Sequence, residues 1–77
     1  MSDNGILGQV PGQYVSQASK ELPNPEMAED REYVAEIDAG HAGQVRIFYR
    51  RQIVKKGKHS HHFWLACRAE RATALSD

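Results

Sequence analysis

Seventy-seven residues allow one domain and leave little apolar material for a deep ligand pocket, because a chain this short buries only about 60% of its unfolded surface. A composition 40% hydrophobic with six aromatic residues stands above that of a disordered chain. The single cysteine, Cys67, excludes an intrachain disulfide, and no apolar run of about 18 residues is present to span a membrane. The net charge of zero excludes a uniformly basic or acidic polypeptide.

The first ten residues, with Gly5 and Gly8 among small and polar neighbours, are expected to be a flexible N-terminus, and residues 11–77 a single small domain. Tyr14, Ala18 and Leu22 recur at i, i+4, i+8 beside Val15, which predicts a short helix over about 12–22. Pro11 is tolerated near its first turn, and Pro23 forces its end. Asn24-Pro25-Glu26 then reads as a helix start capped by Asn24, or as a loop.

From residue 31 the period changes to two. Tyr33, Ala35 and Ile37 share one face of a first strand, about 31–38, with Glu36 and Asp38 on the other. Residues 39–43 form a glycine-bearing connection. A second strand, about 44–54, alternates Val45, Ile47, Tyr49, Arg51 and Ile53 with Arg46, Phe48, Arg50, Gln52 and Val54. After a polar turn over 55–60, a third strand, about 61–68, places Phe63, Leu65 and Cys67 inward and His62, Trp64, Ala66 and Arg68 outward. The tail 69–75 is rich in helix formers and predicts a short C-terminal helix. The fold class is α+β: a three-stranded antiparallel meander covered by the N-terminal helix, the alternative being a mostly β domain with a loose N-terminal arm.

Signals for catalysis are weak. His59, His61 and His62 are close in sequence, but adjacent strand residues face opposite ways and no CxxC or HxxxH spacing accompanies them, so no metal is expected. Cys67 on an apolar strand face reads as a small hydrophobe rather than a nucleophile. Glu36 and Asp38 can pair with Arg46 and Arg50 across the sheet. GxxxxGK[ST], GxGxxG and GxSxG are all absent, so no catalytic residue and no cofactor is expected.

The neutral total hides a division. Residues 1–40 carry eight acids against Lys20 and Arg31, a net −6, and residues 41–77 carry eight bases against Glu70 and Asp77, a net +6. Seven lysines and arginines and three histidines lie between Arg46 and Arg68, interleaved with Phe48, Tyr49, Phe63 and Trp64. The candidate binding surface is therefore the second hairpin: Arg46, Phe48, Arg50, Arg51, Lys55, Lys56, Lys58, His62, Trp64 and Arg68. Its bases suit phosphates, its rings suit unpaired bases, and a two-stranded ribbon also fits the major groove of a duplex. The expected function is a non-enzymatic, cytoplasmic protein binding single-stranded or duplex nucleic acid, with no membrane partner. The alternative is a protein–protein module, including a homodimer, that uses the same hairpin or a strand edge.

Overall fold

Val45, Ile47 and Tyr49 are the largest side chains buried almost completely, and their i, i+2, i+4 spacing is one face of a strand. The computed structural model describes residues 5–72. In it these three residues lie at the centre of an antiparallel sheet ordered β1 (Tyr33–Asp38), β2 (Gln44–Lys56) and β3 (His59–Arg71). Ala35 and Ile37 flank them on β1 and Ala69 on β3. Each of the three large residues contributes roughly 1.5–3 kcal/mol by leaving water.

The helix α1 (Gly12–Ser19) covers this inner face. Ala18 is fully buried, so the helix backbone approaches the sheet closely, while Tyr14 and Val15 are half-buried beside it. The expected extension to residue 22 is not helical. Lys20, Glu21 and Leu22 instead donate to the carbonyls of Gln17, Ala18 and Ser19, the tighter i→i−3 pattern that closes a helix. Asn24 begins a turn rather than a helix. Its Oδ1 accepts from the Glu26 amide at 2.9 Å and its carbonyl from the Met27 amide at 2.9 Å.

Two strands run longer than the sequence predicts. The polar turn expected over 55–60 shrinks to Gly57 and Lys58, because Lys56 pairs with His59. Gly57 takes φ 61° and no non-glycine residue has positive φ among those described, the pattern of a type II′ hairpin turn. At the other end, Ala69–Arg71 continue β3, and Ala72 donates to the Gln44 carbonyl at 2.9 Å. The expected C-terminal helix is thus replaced by strand up to Arg71, since sheet pairing overrides the helical propensity of Ala69, Glu70 and Arg71. Residues 73–75 of that expectation lie outside the described residues.

The N-terminal segment docks on the free side of β3. Gly5 bridges Ala69 in parallel and the Ile6 amide donates to the Ala69 carbonyl at 3.0 Å. A single 3₁₀ turn, Leu7–Gln9, then leads to Val10, which is buried in the core.

The largest departure from expectation is a β-bulge. Phe48 pairs with Arg68 but Tyr49 pairs with Ala66, so Cys67 is an extra residue on β3. The one-residue shift reverses every face assignment from there to the hairpin tip. His62, Trp64 and Ala66 therefore share the inner side with Tyr49 and Arg51, whereas Phe63 and Leu65 point outward with Arg50 and Gln52. The outer sheet face carries no second layer among the described residues: Val34, Val54, Phe63 and Leu65 are 39–49% exposed there.

Candidate nucleic-acid interface

β1 pairs with β2 only as far as Tyr33↔Tyr49, so beyond Tyr49 the sheet narrows to two strands. Residues 50–56 and 59–65 form a free ribbon about 23 Å long at strand rise. The molecule is elongated, 51 Å along its long axis and 27 × 21 Å in its other dimensions. Every residue from 52 to 61 is exposed.

The stretch 50–62 contains Arg50, Arg51, Lys55, Lys56, Lys58 and three histidines, and no acid. Among the described residues, no ion pair involves any of these five bases. Arg51 is nonetheless engaged at the ribbon's base, where it donates to the Ala28 carbonyl at 2.7 Å. Arg50, Lys55, Lys56 and Lys58 are the cations left to solvent.

Arg46 and Arg68 belong to a different environment. Arg46 on β2 donates to Glu36 of β1 at 2.9 Å and to Glu70 of β3 at 3.0 Å. Those hydrogen bonds, Glu36 first and Glu70 second, raise the guanidinium pKa above its ordinary value. Arg68 lies 3.4 Å from Glu70 and stacks on the Phe48 ring at 3.7 Å from its centroid. The cross-strand pairing expected for Glu36 thus forms with Arg46. Asp38 instead sits opposite Gln44, and its Oδ1 accepts from the Gly40 amide.

The candidate aromatic residues do not make the single outer patch that strict alternation predicts. The bulge turns Trp64 inward, where its ring meets Tyr33 edge-on at 4.8 Å and its Nε1 donates to the Pro23 carbonyl at 3.0 Å. His62 is turned inward as well, opposite Ile53, and its Nδ1 is buried without a partner. Phe48 stays outward, beneath Arg68. The structure thus groups Lys55, Lys56 and Lys58 at the ribbon's tip, leaves Arg50 at its base on the same face as Phe48, and separates the tip lysines from Arg46, Trp64 and Arg68. Phe63, Leu65 and His61, absent from the candidate set, join the ribbon's exposed surface. The bulge that exposes them leaves no mark in residue type, because Cys67 and Ala66 suit either face.

Chemistry elsewhere is limited. A shallow cleft of about 400 Å³ between α1 and β3 is lined by Leu7, Val15, Ser16, Ser19, Tyr49 and Trp64, with no carboxylate or imidazole among its walls. Among the described residues no group of three or more His, Cys, Asp or Glu side chains converges. No described helix is long and apolar enough to cross a membrane. Comparison with protein-family models, curated proteins and solved structures finds no match to this chain.

Proposed function

We propose that this protein is a non-enzymatic nucleic-acid-binding module whose contact surface is the ribbon formed by residues 50–65. The observation that carries the reading is the solvent-exposed, acid-free basic tip standing clear of the sheet's body. Cations on a projecting ribbon approach a phosphate backbone without bringing the rest of the protein against it. Neutralising phosphates then releases condensed counterions, which supplies affinity without sequence readout. Charge segregation supports the same orientation, since the acids concentrate in the first forty residues and the bases in the remainder.

Titration of ¹⁵N-labelled protein with mixed-sequence oligonucleotides tests this reading. Salt-sensitive amide shifts confined to 50–65 are the expected result. No shift at low salt removes nucleic acid as a ligand.

A second reading has its own observation: the outer sheet face, uncovered at Val34, Phe63 and Leu65, is an apolar surface of the kind that protein partners cover. Under that reading the partner is another protein or a second copy of this chain. Sedimentation across a range of concentrations tests the homodimer. The wild type is then expected to gain mass with concentration, and Leu65→Ser to remain monomeric.

A further inference from the structure

We infer that the nucleic acid is B-form duplex DNA, with the ribbon lying in its major groove. This rests on the nucleic-acid reading above and specifies its ligand.

The rings argue against a single strand. Proteins that hold unpaired bases present a series of open aromatic faces. Here Trp64 is held by Tyr33 and Pro23, Tyr33 is covered by Arg31 at 3.8 Å, Phe48 is covered by Arg68, and Tyr49 is 1% exposed. Among the described residues of the sheet, Phe63 alone keeps an exposed aromatic ring. One ring is no platform for successive bases.

The ribbon's dimensions fit a duplex. Two strands about 4.8 Å apart, with side chains, enter a groove about 12 Å wide and 8.5 Å deep. The major groove of A-form RNA is deep and narrow and does not admit them. Gln52, His59 and His61 share the ribbon's outer face and are exposed polar groups able to meet base edges, while Lys55, Lys56 and Lys58 extend toward the flanking phosphates.

An acidic collar limits the insertion. The loop bearing Glu26, Glu29, Asp30 and Glu32 is fastened to the ribbon's base by the Arg51–Ala28 hydrogen bond, and to β1 by the Glu29 amide, which donates to the Tyr33 hydroxyl at 3.0 Å. Phosphates are repelled there, so only the segment 52–61 enters the groove. That exposed segment carries no acid.

Fluorescence anisotropy with the full chain and three probes of one sequence tests the assignment: a 20-base-pair DNA duplex, its single strand and the corresponding RNA duplex. The expected result is DNA-duplex binding at least tenfold tighter than either other probe. Raising salt from 50 to 200 mM then weakens it about fortyfold, as three phosphate contacts require. Methyl green, which occupies the major groove, displaces the protein, and netropsin in the minor groove does not. Equal or tighter binding of the single strand or the RNA duplex overturns the inference while leaving the proposed function standing. Displacement by netropsin alone likewise overturns the groove assignment. Binding to none of the probes overturns the proposed function itself, and this inference with it.

Discussion

The Tyr49 hydroxyl donates a 2.6 Å hydrogen bond to the Val15 carbonyl, fastening the middle strand of the sheet to the only α-helix among the described residues. The ring is 1% exposed, so both the apolar burial and the polar contact depend on α1 staying in place. Tyr49→Phe keeps the ring and removes the donor. The expected cost is about 1–2 kcal/mol, within the range for losing one buried hydrogen bond, read as a lower urea midpoint with an unchanged slope.

The same hydroxyl confers an alkaline limit on stability. Burial, and after it the charge of Glu21, pushes the Tyr49 pKa up to about 12, against about 10 in the unfolded chain. Below pH 10 both states hold the proton and the stabilisation is complete. Between pH 10 and 12 the unfolded state ionises first, and stability falls. Urea midpoints measured across that window should decline more steeply for wild type than for Tyr49→Phe. Parallel declines would show that other groups set the alkaline limit.

The meander was legible because its first two strands each carry an apolar alternation that only one register buries: Tyr33-Ala35-Ile37 and Val45-Ile47-Tyr49 kept their expected faces. β3 did not, and the reason is physical. Its residues from 61 to 66 alternate large groups on both sides, so the pattern His61-Phe63-Leu65 competes evenly with His62-Trp64-Ala66. What decides the contest is remote in sequence: the Pro23 carbonyl that receives the Trp64 indole and the Tyr33 ring that packs on it. The candidate site was legible as a stretch of bases but not as a geometry. The Glu36–Arg46 pair followed from the strand pattern, but neither the Glu70 pairs that also occupy Arg46 and Arg68 nor the extra length of the ribbon is written in local spacing.

Gly5 is required by a close approach as well as by its backbone. It holds φ 62°, and a Cβ there would run into the Ala69 carbonyl oxygen, the same atom that accepts the Ile6 amide. Gly5→Ala should therefore release the N-terminal segment from β3 and lower stability by about 1–3 kcal/mol, the scale of strained non-glycine backbone. Hydrogen exchange at the Ile6 amide is the direct readout. Wild-type protection in the variant would show that the bridge tolerates a side chain.

Trp64 anchors the 20–32 loop rather than facing a ligand. Trp64→Phe keeps an aromatic partner for Tyr33 and loses the hydrogen bond to Pro23, at an expected cost of about 1 kcal/mol. Trp64→Ala also removes the half-buried ring and should cost about 1–3 kcal/mol. Binding measured well below each variant's melting temperature should change less than twofold for Trp64→Phe. A loss of tenfold or more would return the indole to the binding surface.

The strongest discrimination lies between two sets of bases that sequence alone groups together. Arg46 and Arg68 face Glu36 and Glu70, so their charge is compensated before any ligand arrives. Lys55 and Lys56 are exposed on the ribbon, with no ion pair among the described residues. Lys55→Glu with Lys56→Glu should leave the melting temperature within about 2 °C of wild type, as surface substitutions of this kind do, and weaken nucleic-acid binding more than tenfold at 50 mM salt. Arg46→Gln should do the reverse. It removes the cross-strand partner of Glu36 and one of the two arginines on Glu70, which keeps Arg68, so the melting temperature should fall measurably while affinity changes less than twofold. Anisotropy and thermal melts on the same preparations separate the cases. If Arg46→Gln lost affinity as severely as the lysine double variant, the contact surface would have to extend from the ribbon onto the body of the sheet.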